Sequence, residues 1–236
     1  MKFARISTLI PMMAAVVAAT AQNDVEDVVA VGDAVFAIKF VARDTELRDN
    51  GVLAVHGLYV TKTEVTQAQW RAMMHYNPSA MVCDTMPVTN VEPDSAMEFC
   101  RRIDATLVFG VRLLCEEEWR YAASGGLYPE HYRYAGSNNV GFVAWYKANS
   151  RKKPHPVAMR VPNELGLFDM SGNVGELVTA GDKPVSPRSK DRPEYKVMGG
   201  SYADPPEDCT TASAKPYQAP DSRTGLRICW PITLYY

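Results

Sequence analysis

The chain has 236 residues, 47% of them hydrophobic and 22% charged, and a formal net charge of −2. That length suits one large domain or at most two small ones, and the composition excludes a disordered chain. With no basic block to track a phosphate backbone, nucleic acid is not an expected partner.

The N-terminus carries the first signal. Lys2 and Arg5 form a short positive stretch, Ile6 to Ala18 is apolar apart from Ser7, Thr8 and Pro11, and Ala19-Thr20-Ala21 has small-x-small cleavage spacing. Residues 1–21 are therefore read as a signal peptide, which predicts a secreted or extracytoplasmic protein, in the periplasm or at the cell surface. The apolar run is shorter than the ~18 residues of a membrane span and no later segment reaches that length, so no transmembrane segment is expected. Export places the chain where disulfides persist. Its five cysteines, Cys83, Cys100, Cys115, Cys209 and Cys229, leave at least one unpaired within the chain. Their spacing contains no CxxC and no Cys/His cluster of zinc type.

Residues 22–34 read as an N-terminal lead-in, acidic and loose over Asn23 to Val31. Val35 to Val41, Val52 to Val55 and Leu58 to Val60 are short β-type runs, and Asp49-Asn50-Gly51 supplies the turn of a hairpin. Thr66-x-x-Gln69 is a capping box that opens a helix reaching about His75. Pro93 suits the first turn of a second helix, with Met97, Cys100, Ile103 and Leu107 as its buried stripe. A third helix is expected from Glu116 to Ser124, ending at Gly125-Gly126. Beyond Leu127 the chain is punctuated by Pro, Gly, Asn and Ser, so no long helix or sustained strand is expected there. Thr179 to Glu194 reads as an exposed loop. A loop-rich half of this length needs internal ties or bound ions to hold its backbone.

Several segments carry a resemblance, in order. Thr63-Glu64-Val65-Thr66-Gln67-Ala68-Gln69-Trp70 comes first, then Pro87-Val88-Thr89-Asn90-Val91 with Asp94-Ser95-Ala96, and Arg112-Leu113-Leu114-Cys115-Glu116-Glu117-Glu118-Trp119-Arg120-Tyr121-Ala122. Gly166-Leu167-Phe168-Asp169-Met170-Ser171-Gly172-Asn173-Val174-Gly175-Glu176 follows, and Gly199-Gly200-Ser201-Tyr202 and Gly225-Leu226-Arg227 close the series. Over roughly Val35 to Cys229 the chain resembles the formylglycine-generating-enzyme, or sulfatase-modifying-factor, domain family. The resemblance implies an α+β fold, a single compact loop-rich domain over residues 35–236, related to the C-type lectin fold.

It also implies sites. Asp169 and Glu176 fall where the family supplies carboxylates to a structural calcium, beside the backbone carbonyls of Gly172 and Val174. Calcium takes six to eight oxygens, a demand that such a loop can help to meet. Without the resemblance, Asp169 reads as a turn former and Glu176 as a solvated charge. A second family calcium site begins at the position of Asn149 and Ser150, but Ala158 leads almost directly to Pro162-Asn163, so that site is expected to be lost.

Family enzymes hold copper with two cysteines five apart, just after the Gly-Gly-Ser-Tyr segment. Here the first of those positions is Asp204 and the second is Cys209, while Ser201 matches a serine that lines the family's site. Copper(I) wants two soft thiolates and one sulfur does not make that site, so copper is not expected. Pro205-Pro206, Gly175 in place of a tryptophan and Leu177 in place of an aromatic are further departures, the last two removing large groups near the floor of the family's groove. Cys209 reads equally as a structural residue, either a disulfide partner or a buried thiol, or as a functional one, a vestige with Ser201 of the family's catalytic site. Some relatives tie the position of Cys100 to the last strand, one residue short of Cys229.

The expected function is a non-catalytic binding or envelope-assembly module that meets a protein or glycan partner. Its alternative is an oxidase that converts a sulfatase cysteine to formylglycine. Iron-dependent C–S bond formation, as in ergothioneine-type relatives, would need a His-rich helical domain for which this chain has no room.

Overall fold

The computed structural model describes residues 27–47, 53–127 and 129–235. The signal-peptide reading at 1–21 and the turn Asp49-Asn50-Gly51 lie outside the described residues.

The first strand corrects the sequence reading. Asp27–Val31 is not loose: it is strand β1, paired antiparallel with β2 (Ala34–Leu47) through a turn at Gly32-Asp33. Alternation explains it, because Val29 and Val31 turn inward against Ala34, Phe36 and Ile38. β2 pairs with β3 (Leu53–Thr61), the hairpin expected from the β-type runs. The sheet continues through β9 (Ile228–Tyr235) to β4 (Arg112–Leu113), in the order β1-β2-β3-β9-β4. β9 is a sustained strand where none was expected. β4 pairs with it only at Ile228 and Cys229, so from Pro231 onward that side of β9 is an edge, where a residue without an N–H is tolerated.

Two helices pack on this sheet. α1 (Gln67–Met74) opens on the expected capping box and ends at His75, left-handed at φ 65°. α2 (Pro93–Leu107) starts on Pro93 and buries Ala96, Phe99, Cys100, Ile103 and Leu107. Trp70 of α1 stacks on Phe99 of α2 at 5.0 Å between ring centroids, and Phe36 of β2 meets the same ring edge-on at 6.3 Å. That aromatic cluster is the centre of the larger core.

The loop-rich half builds a second sheet, β7-β6-β5-β8, from β5 (Gly175–Thr179), β6 (Tyr195–Met198), β7 (Ala214–Pro216) and β8 (Thr224–Leu226). The segment between β5 and β6 is the exposed loop expected there. α3 (Glu116–Ala123) covers one face, and Trp119, Leu167, Met170, Val178 and Met198 form the second core. A one-turn helix, α4 (Val140–Val143), closes the outer loops.

Candidate functional site

The end of β6 places the segment that should carry chemistry. Gly199 and Gly200 are left-handed, at φ 79° and 66°, and a Cβ on Gly200 would run into the backbone carbonyl of Asp208. Only glycine permits that reversal, which delivers Ser201 to the interior and lets the Tyr202 amide donate to the Asn173 carbonyl at 2.7 Å.

Ser201, Asp204 and Cys209 do come together. The Ser201 hydroxyl donates to Asp204 Oδ2 at 2.5 Å, and the Cys209 thiol donates to the Ser201 carbonyl at 3.8 Å. Lys215, which sequence reasoning missed, bridges Asp204 at 3.0 Å and Asp208 at 2.8 Å. Burial works against charge on Asp204, but the Ser201 hydroxyl and the Lys215 ammonium overcome it and hold the carboxyl below its ordinary range. Cys209 is fully buried. Burial first, then the negative charges of Asp204 and Asp208, push its thiol up to about 12. The group at the second family position is therefore a neutral thiol, and the group at the first is an ion-paired carboxylate. These donors do not fit a two-thiolate copper site.

Ser201, Asp204 and Lys215 line a groove of about 490 Å³ together with Gly175, Val197 and the Tyr217–Pro220 segment, whereas Cys209 does not border it. A Cβ on Gly175 would already press on Val197 Cγ1, so the floor is open because no side chain fits there. Leu177 is a correction: it does not border the groove but lies fully buried in the main core with Leu226 and Ile228. Gly175 and Leu177, two apart on β5, share one face, but only Leu177 packs into the main core.

The loop that begins at Asp169 leads into β5, whose first residue, Gly175, lines this groove. Asp169, Gly172 and Asn173 are all left-handed, at φ 60°, 74° and 55°. Asp169 Oδ2 accepts from the Ala158 amide at 2.7 Å, whereas Oδ1 is buried with no partner. The Gly172 and Val174 carbonyls accept no loop hydrogen bond among the described residues. Glu176 is more heavily engaged. Arg227 donates to both its oxygens, at 2.7 to 3.1 Å, and Trp119 Nε1 donates at 2.7 Å.

Glu64, a third buried carboxylate, was legible only as part of the helix-entry motif. Its oxygens accept from the Val174 amide and the Asn173 side chain, each at 3.2 Å. Burial, then the charges of Asp169 and Glu176, push its carboxyl well above the usual range, and burial lifts Asp169 to about 6. Three carboxylates thus share a dry neighbourhood with Arg227. Among the described residues no group of three or more His, Cys, Asp or Glu could hold a metal. A cation here would rest on Asp169 Oδ1 and the two carbonyls, with Glu176 shared with Arg227. The orphaned Asp169 oxygen is the feature that fits a hard cation of calcium type. Asn149 and Ser150, at the start of the second family site, are spent on local bonds to Ala144, Tyr146 and Tyr202.

All five cysteines are free thiols. Cys229 accepts from Arg112 at 3.3 Å, and Arg112 is also bound bidentately to Glu118. No bond joins Cys100 to Cys229; burial pushes the Cys229 thiol up to about 12 and raises that of Cys100 as well. No helix of the described residues is long and apolar enough to cross a membrane.

The model of the sulfatase-modifying factor enzyme 1-like domain matches residues 13–232. A chaperone protein, LppX, of Paenibacillus barcinonensis is 34% identical, over 50% of this chain and 60% of that one. The chain thus spans about three fifths of that relative's length. Among solved structures, Treponema denticola variable protein 1 superposes with a TM-score of 0.71 at 24% identity, covering 88% of this chain and 99% of that one. CarF gives 0.64 at 25%, over 83% and 98%, and PvdO from Pseudomonas aeruginosa 0.61 at 15%, over 84% and 95%.

Proposed function

Because this chain belongs to the sulfatase-modifying factor enzyme 1-like domain family, we propose that it is a member that binds a partner at the groove beside Asp204 and does not oxidise cysteine. One observation carries the reading: the first thiolate position is a carboxylate held by Ser201 and Lys215. A hard, ion-paired carboxylate is a poor ligand for copper(I), and the remaining thiol is buried and protonated. What is left is a positioned polar wall over an open floor, which suits recognition of a protein or glycan. The relative whose name makes it a chaperone supports a binding or assembly role.

Two further parts belong to this reading. The chain is exported after cleavage following Ala21, so the partner is met in the cell envelope or outside the cell. Calcium, held by Asp169, Gly172, Val174 and Glu176, stabilises the loop that leads into β5; its chemistry is charge neutralisation, not catalysis.

The deciding experiment is a copper(I) titration of the mature protein. No binding at one equivalent is expected. Stoichiometric binding that disappears in Cys209→Ser would restore the alternative, an oxidase that makes formylglycine.

A further inference from the structure

Asn173 stands at a crossing of three segments. Its amide donates to the Trp145 carbonyl at 2.8 Å and its own carbonyl accepts from Tyr202 at 2.7 Å. Its side chain accepts from the His155 amide at 2.9 Å and donates to the His155 carbonyl at 3.3 Å. The remaining bond of that side chain goes to Glu64, which also takes the next amide, that of Val174. Glu64 therefore grips two successive residues at the end of a left-handed loop from the short segment between β3 and α1.

Arg227 offsets part of its charge but gives it no hydrogen bond. The Arg227 donors go to Glu176, Thr61 and Phe168. A buried carboxylate beside two others is costly unless a cation shares the neighbourhood, and the Asp169 oxygen left without a partner marks where one would be welcome. A glutamine of the same size could accept from Val174 but would turn a donor toward Asn173. Only a carboxylate satisfies both donors at once.

We propose that Glu64 is the positioning residue of the cation loop: it touches no ion itself but fixes the Gly172–Val174 backbone whose carbonyls complete the site. This rests on the calcium reading above. Partners that orient ligands of a metal in this way are worth roughly 10- to 100-fold in affinity.

Calorimetric titration of calcium chloride into wild type and Glu64→Gln, with melting curves of both in chelator, tests it. The wild type should bind one equivalent. Glu64→Gln should bind roughly 10- to 100-fold more weakly, a change beyond any fall in its melting temperature in chelator. A purely structural Glu64 would lower that melting temperature and leave the affinity unchanged, which overturns the proposal. Should Glu64→Gln fail to fold, Glu64→Asp is measured; it keeps the charge but withdraws it from both donors, and an unweakened affinity overturns the proposal equally. A wild type that binds no calcium sinks the calcium reading itself, an outcome distinct from either.

Discussion

The Ser201 hydroxyl donates to Asp204 at 2.5 Å, and Lys215 holds the same carboxylate from the far side at 3.0 Å. The position that would carry a copper thiolate is thus occupied by a charge whose partners are already in place. A Cys-x-Pro-x-Arg peptide incubated with the protein, copper and oxygen should accordingly show no aldehyde by mass spectrometry. Conversion that depends on Cys209 would refute the binding reading. Asp204→Cys is the informative variant. Because Ser201 loses its acceptor, Lys215 is left with Asp208 alone and the groove still lacks its tryptophan, it should bind copper(I) without restoring turnover.

Filling the groove floor should be costly. Gly175→Trp places a Cβ against Val197 Cγ1, and overpacking of this kind costs about 1–3 kcal/mol. Denaturant melts should show that loss, with most of it recovered in Gly175→Trp combined with Val197→Gly. A single variant as stable as the wild type would mean that β5 and β6 shift apart more easily than their pairing implies.

The chelator response tests the cation loop without touching the ion pair. Wild-type protein should melt lower in EGTA than in calcium, since a ligand that binds only the folded state stabilises it. Asp169→Ala should abolish the difference, and identical wild-type curves would count against calcium. Glu176→Gln is a separate test. It removes the charge that faces Arg227, whose side chain is wholly buried, and breaking such a pair costs about 3–5 kcal/mol.

Acid should act partly through Glu116. Its bonds to Lys196 and Arg120, at 2.7 and 2.8 Å, hold its carboxyl down from 4.5 to about 2. A folded-state value below the unfolded one means stability that is complete above about 4.5 and is lost as pH falls toward 2. Lys196→Met should shrink that acid-side loss and leave the curve above pH 5 nearly parallel to the wild type. Equal slopes for the two proteins between pH 4.5 and 2 would show that the pair does not contribute.

The core has its own measure. Trp70 is fully buried against Phe99, and Trp70→Ala should cost about 3–5 kcal/mol in a chemical melt. A loss below 1 kcal/mol would mean that the cluster around Phe36 and Phe99 collapses into the space.

Local rules decided α1, α2, α3 and the pairing of β2 with β3, and so these were legible in the sequence. The capping box at Thr66 and Gln69, the proline that opens α2 and the glycines past α3 act within a few residues, so spacing alone reveals them. The family motifs likewise placed Ser201, Asp204 and Cys209 close together, and Asp169 in the same loop as Glu176. Tertiary structure decided what partners those groups have. β9 is a strand because β3 lies beside it, although Pro231 argues against one locally. Leu177 was expected near the groove, but it packs into the main core with Leu226 and Ile228. Lys215 reaches Asp204 across a chain reversal, Arg227 reaches Glu176 from the link between β8 and β9, and Glu64 grips Asn173 over more than a hundred residues of chain. Residue type and spacing say which groups can be charged. Which charges meet in the dry interior depends on the path of the backbone between them, and no local pattern encodes that path.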